Sequence, residues 1–236
     1  MKKIILFLQL IFSIGMSAQT TVESVQVADI DEGAPICGKS IDLHKRILQA
    51  YNCDSTLIVF ACDTTKKGKN TDTGYLYSLD ANTLEVQWQK SLKLSLSKLY
   101  GVCSKGVMLS STLKSTGKSL LTLSDTKTGQ SLWTQYLYPV YFNDSLDIVI
   151  GLEKVGGSKT YAYRLSTGML LWDAEIPMTK NVGWKDACMV DSTHLVVVGD
   201  AINEINIHSG EIKKVKAVTG LSLIHISEPT RLGMIS

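Results

Sequence analysis

A pattern of about 42 residues recurs through the chain, and it limits the fold more than any single motif. Each copy begins as alternating apolar residues, turns at Thr-Gly or an equivalent, and ends on Trp. The copies are Gly74–Trp88, Leu120–Trp133 and Thr160–Trp172, with a weaker fourth at Ile202–Lys214. Their turn positions, Leu84, Gly129, Gly168 and Gly210, lie 45, 39 and 42 residues apart. Four residues beyond each come Trp88, Trp133, Trp172 and Lys214. Upstream of each copy is a second hairpin with a polar turn: Asp54-Ser-Thr, Ser104-Lys-Gly, Asn143-Asp-Ser and Asp191-Ser-Thr, each leading into an apolar run. Every unit therefore holds four short strand patterns, A to D, joined by turn-forming residues.

Four strands of about 5 to 6 residues with short connections account for the period. The expected fold is all-β: a β-propeller of four-stranded antiparallel blades, with about four blades present and the ring incomplete. Period-2 alternation leaves each blade with two apolar faces, so neighbouring blades must stack to bury them. Gly129, Gly168 and Gly210 supply the positive φ of a tight C–D turn. Trp88, Trp133 and Trp172 then fall at one place on the outer strand, where an indole packs between adjacent blades. Trp184, in a D–A connection, stands outside the pattern and is a candidate binding residue.

The two ends read differently. Lys2-Lys3, the apolar run Ile4–Met16 and small residues at Ser17 and Ala18 make residues 1–18 a signal peptide, too short for a membrane-spanning helix. The mature product is expected to be periplasmic or secreted, with no membrane span after cleavage. Leu221–Arg231 resembles the in-frame translation of a transposase-type sequencing adapter, so residues 221–236 are read as a non-native tail. On this reading the gene product continues past Gly220, and the described blades alone form an open array. Residues 19–45 are a lead-in segment and 46–220 the partial propeller. Removing Lys2, Lys3 and Arg231 from the 24 basic residues and Glu228 from the 22 acidic ones leaves 21 of each. A neutral, ordinarily hydrophobic chain without charge runs argues against nucleic-acid binding.

Leu79-Asp80-Ala81 with Trp88, and the Thr-Gly to Trp spacing at 128–133 and 167–172, resemble the quinoprotein-type (PQQ-like) β-propeller repeat. The likeness covers Arg46 to Val218. The fourth copy lacks the Trp, and the first lacks Gly at position 84. The resemblance implies one of two functions: a non-catalytic exported scaffold that binds proteins or cell-surface glycans, or part of a quinone-dependent dehydrogenase or of a propeller fused to a catalytic domain. The dehydrogenases of this class carry a buried Asp base, calcium-ligand acids and often a Cys-Cys pair. The sequence has no Cys-Cys, and Asp63, Asp72, Glu153, Asp173 and Glu175 sit in no motif. The scaffold is therefore the preferred reading, with no catalytic, metal or cofactor residues assigned.

Cys37, Cys53, Cys62, Cys103 and Cys188 show no zinc spacing. Cys53, Cys103 and Cys188 are expected as small core residues of the inner A strands. No hydrolase, zincin or phosphate-loop motif occurs. Charge, however, divides between the two faces of the disc. The B–C loops carry Lys66, Lys67, Lys69, Lys114, Lys118, Lys154 and Lys159 against Asp63, Asp72, Glu153 and Asp200. The A–B and C–D turns carry mainly acids, including Asp54, Asp144, Asp191, Asp80 and Asp125. The basic face, with the longer first-blade loop Lys66 to Thr73 on it, is the expected docking surface for an acidic partner or anionic glycan.

Overall fold

The structure, a computed structural model, describes residues 22–28, 36–176, 184–199 and 201–217. The predicted signal peptide, the adapter-like tail and Asp200 lie outside the described residues. Two units separate along the chain, Met1–His44 and Lys45–Ser236. The first contains an antiparallel hairpin of β1 (Val22–Ala28) and β2 (Ile36–Ile41), which the sequence reading treats only as a lead-in.

The second unit is four consecutive antiparallel four-stranded meanders. Blade 1 is β3 (Arg46–Cys53), β4 (Thr56–Thr64), β5 (Asn70–Asp80) and β6 (Val86–Lys93). Blade 2 is β7 (Ser97–Cys103), β8 (Gly106–Thr112), β9 (Ser119–Ser124) and β10 (Ser131–Tyr136). Blade 3 is β11 (Tyr138–Asn143), β12 (Ile148–Leu152), β13 (Lys159–Arg164) and β14 (Leu170–Glu175). Blade 4 is β15 (Asp186–Met189), β16 (His194–Val198), β17 (Ala201–Asn206) and β18 (Ile212–Ala217). These are the A to D strands in order. The third B strand starts at Ile148 rather than at Leu146, because Asp147 adopts φ 53° and belongs to the turn. Among the described residues no buried apolar cluster joins blade 4 to blade 1, and the blades do not close into a ring.

Three apolar clusters correspond to the three blade–blade contacts. Ile58, Phe60 and Leu76 meet Leu99, Val107 and Leu109 between blades 1 and 2. Met108, Leu121 and Leu123 meet Val149 and Leu165 between blades 2 and 3. Ile148, Ile150 and Ala162 meet Leu195, Val197 and Ile205 between blades 3 and 4. The inner strands of each blade are thus buried by their neighbours, as a stacked repeat requires.

Each contact is locked by the same device. Trp88 Nε1 donates to the carbonyl of Thr126 at 2.8 Å, Trp133 Nε1 to Leu165 at 2.8 Å, and Trp172 Nε1 to Ile207 at 2.8 Å. The acceptor lies in every case in the C–D turn of the next blade. The turn glycine lies flat against the same indole: a Cβ on Gly129 would come within 2.8 Å of Trp88, on Gly168 within 2.7 Å of Trp133, and on Gly210 within 2.7 Å of Trp172. These glycines are required twice, for φ near +70° and for the approach of the ring. Leu84, in blade 1, takes the same left-handed conformation, φ 61°, with no Trp of this chain's described blades against it.

A β-bulge directly before each Trp, at Gln87, Leu132 and Leu171, turns the indole toward the next blade. Blade 4 corrects one expectation. Its bulge falls instead between Lys214 and Lys216, so Lys213, paired with Glu204, occupies the register position of the Trp, and Lys214 lies opposite Asn203. With no indole to aim, the strand has no need of the earlier bulge. A second correction concerns the cysteines of the A strands: Cys103 is buried and Cys53 half-buried, but Cys188 is exposed. Cys188 pairs with Val196, on the side of blade 4 away from blade 3, where no described blade covers it.

Candidate functional site: the face of the B–C turns and D–A connections

Meander topology puts the B–C turns and D–A connections of every blade at one end of the strands. At that end a groove of about 420 Å³ runs from the first D–A connection across blades 2 and 3. Its walls include Ser95 from that connection, Ser97, Tyr100 and Ser119 from blade 2, and Tyr138 and Val155 from blade 3. Val155 is 68% exposed at the tip of its turn. Tyr100 packs edge-on against Phe142 at 5.8 Å, and burial raises its phenol pKa. A second hollow of about 270 Å³ shares Tyr138 and Pro139 with the groove and holds Trp184 on its other side. Trp184 packs against the cluster of blades 3 and 4, and its buried Nε1 meets no hydrogen-bond acceptor among the described residues.

Backbone and side-chain ties hold the groove in shape. Asp72 accepts from the Ser95 amide at 2.6 Å and from its hydroxyl at 3.0 Å. The Thr112 amide donates to Leu96 O at 2.7 Å, joining the first D–A connection to blade 2. The bond from the Ser95 amide is the main cause that holds the Asp72 carboxyl below its usual range. Asp63 is also committed: Lys45 Nζ lies 2.6 Å from Oδ1, and Tyr75 donates to Oδ2 at 2.8 Å. Lys45 first and Tyr75 second keep Asp63 ionised to lower pH.

The lysines of this face are placed in different ways. Lys114 and Lys118 flank the blade 2 turn beside Gly117, a groove residue, and Lys154 precedes Val155. Lys98 also lines the groove, a cation not singled out from the sequence. Lys118 lies over the Tyr136 ring at 5.5 Å and Lys159 over Tyr161 at 5.3 Å. Hydrogen bonding to Tyr161 raises the Lys159 pKa. Lys66, Lys67 and Lys69 are exposed on the blade 1 turn and line no part of the groove. The serine and tyrosine walls had no sequence signal, because they come from a D–A connection and two different blades and meet only after stacking.

The remaining carboxylates form no cluster: Glu175 accepts from Ser158 at 3.1 Å, while Glu153 and Asp173 are exposed. Among the described residues no three His, Cys, Asp or Glu side chains come together as a metal-ligand set, and no helix is long and apolar enough to cross a membrane.

No family model matches the sequence, and no curated protein matches it. Solved structures match in fold. The Dos1 propeller aligns with TM-score 0.50 and 13% identity, covering 83% of this chain and 55% of its own. BamB from Moraxella catarrhalis aligns with TM-score 0.45 and 14% identity, covering 87% and 55%. The quinohemoprotein alcohol dehydrogenase ADHIIG from Pseudomonas putida HK5 aligns with TM-score 0.44 and 13% identity, covering 72% and 34%. The chain spans about half the length of the first two and a third of the last. At this identity the likeness concerns fold alone, and this chain is an all-β protein built of β-propeller blades.

Proposed function

We propose that this chain is the blade array of an exported, non-catalytic propeller of the PQQ-like kind, a scaffold that binds acidic protein segments or cell-surface glycans. Its docking surface is the groove between the first D–A connection and the B–C turns of blades 2 and 3. The observation that carries the reading is the excess of exposed lysines on that face. Lys45 neutralises Asp63, and Lys98, Lys114, Lys118 and Lys154 beside the groove outnumber Asp72 and Glu153. A concave surface with free cations concentrates anionic groups and speeds their encounter, and salt screens this effect over about 8 to 10 Å. Tyr138 and Val155 supply apolar contact within the same groove.

The test is binding of a fluorescein-labelled glutamate–tyrosine copolymer, followed by anisotropy between 20 and 300 mM salt, both values being on the order of a Debye-length sweep. Binding should weaken with salt and fall about tenfold in Lys114→Glu/Lys154→Glu, since each rim charge mainly affects association. Equal binding of a lysine–tyrosine copolymer, or no response to the charge reversals, would refute the assignment of this face. Retention of the uncleaved precursor in the cytoplasm on fractionation would refute export.

A further inference from the structure

The repeats act as internal controls, and blade 3 departs from them twice at one place. The three residues after the C–D turn position are Glu85-Val-Gln in blade 1, Gln130-Ser-Leu in blade 2 and Glu211-Ile-Lys in blade 4. In blade 3 they are Met169, Leu170 and Leu171, which are 64%, 51% and 40% exposed. Stability of the blade does not need all three, because each of the other outer strands forms with one apolar residue among the three, Val86, Leu132 or Ile212. An exposed run of three large apolar side chains is a feature of contact surfaces.

The second departure is at the residue that caps the turn. Asp125 Oδ1 accepts from the amides of Lys127 and Thr128, and Asn206 Oδ1 from those of His208 and Ser209. Asp80 caps its turn in the same way. In blade 3 this residue is Arg164, and the cap comes from the A–B turn: Asp147 accepts from the Ser166 amide at 2.7 Å and from its hydroxyl at 2.6 Å. Position 164 is thereby released from its structural duty, and the Arg164 guanidinium is exposed with no partner among the described residues. Arg164 and Leu171 share a hollow of about 250 Å³ with Asp147 and His208. Ser166 takes up both oxygens of Asp147 without removing its charge, so the group of the hollow left without a hydrogen-bond partner among the described residues is the Arg164 guanidinium. It lies at the A–B and C–D turn end, opposite the basic groove.

We propose that this outer corner of blade 3 is a separate docking site for a protein partner's extended segment that carries apolar side chains and a carboxylate. The segment lies along β14, which is the outermost strand of its sheet and has a free edge. Edge pairing supplies backbone hydrogen bonds, the apolar run supplies contact area, and Arg164 takes the carboxylate as a two-pronged donor. A second copy of this chain fits less well. Antiparallel pairing of β14 with itself over its full length sets Leu170 against Glu175 and Trp172 against Asp173, so apolar residues meet charge.

A displayed library of random heptapeptides, panned on the whole chain, tests the proposal. Two variants restore what the other blades carry at these positions: Arg164→Asp, and the triple Met169→Glu/Leu170→Val/Leu171→Gln. Enriched peptides should combine alternate apolar residues with Asp or Glu. A synthetic copy of the leading sequence should bind about tenfold more weakly to each variant, a loss typical of a central contact residue. The same peptide should bind Lys114→Glu/Lys154→Glu as it binds the unaltered chain, which separates this site from the basic face. Four outcomes would overturn the proposal: enrichment that does not distinguish the variants, a basic consensus, dimerisation lost in the triple variant, or flotation with phosphatidylglycerol vesicles that depends on Met169 to Leu171.

Discussion

Replacing Gly168 by Ala isolates the lock between blades. A Cβ at this position would lie 2.7 Å from Trp133 Cγ and 2.9 Å from its Cβ, so the indole or the turn must move by roughly 1 Å to reach ordinary contact. Three costs follow. The left-handed conformation, φ 69°, costs an L-residue about 1 to 2 kcal/mol, partly offset by about 0.5 to 1 kcal/mol from the stiffer unfolded chain. Displacing a side chain that is only 9% exposed from a packed interface costs about 1 to 3 kcal/mol. The bond from Trp133 Nε1 to Leu165 O, 2.8 Å long, lengthens or breaks, at about 1 kcal/mol. The total is about 3 to 5 kcal/mol. Gly117 is the matched control, because it has φ 67° and open space where its Cβ would point. Gly117→Ala should cost about 0.5 to 1 kcal/mol, the backbone part alone. Urea unfolding followed by far-ultraviolet circular dichroism measures both. In a Trp133→Ala background the Gly168→Ala penalty should shrink to that of Gly117→Ala, a coupling of about 2 to 4 kcal/mol. The reasoning fails if Gly168→Ala costs no more than Gly117→Ala, or if its penalty persists undiminished without Trp133.

Three further outcomes are expected. Leu84→Gly should stabilise the array by about 0.5 to 1 kcal/mol in the same urea assay, because the left-handed strain at φ 61° is relieved and no indole constrains the turn; a loss of stability would show that the Leu84 side chain is held by contacts worth more than the strain. Asn203 is fully buried and neither of its side-chain polar atoms finds a partner, so Asn203→Val should raise the urea midpoint by about 1 to 2 kcal/mol equivalent, and an unchanged or lower midpoint would contradict this. Thr128 bonds keep the Asp125 carboxyl below its usual range in the folded chain. Its contribution is therefore complete above the unfolded value of about 4 and disappears as pH falls through the lower folded value. Stability should decline on acidification below about pH 5, and Asp125→Asn should flatten that decline; a pH profile identical to that of the unaltered chain would exclude the cap as a source.

The four-strand order within each blade, the places of the C–D turns and the recurrence of Trp88, Trp133 and Trp172 on the outer strands were legible in the sequence. Each depends on local chemistry: apolar alternation sets strand faces, and Gly, Asn and Asp set turns within four residues of one another. The repeat multiplied that signal, since the same spacing recurring three times fixes a period that one copy leaves open. The N-terminal hairpin was missed because it has no second copy to compare with, and the bulge of blade 4 was missed because register is decided by what the neighbouring blade accepts. Lys213 takes the Trp position there only because no indole has to be aimed. Stacking alone decided the rest. Ser95 comes from a D–A connection, Tyr100 from blade 2 and Tyr138 from blade 3, and they share a groove only once those blades are packed. Arg164 is an unremarkable turn residue in sequence, and its freedom becomes visible only when Asp147, 17 positions earlier, is seen to cap the turn in its place. Composition and spacing thus determined the blade, and the contacts between blades and turns decided which side chains remain free to bind anything else.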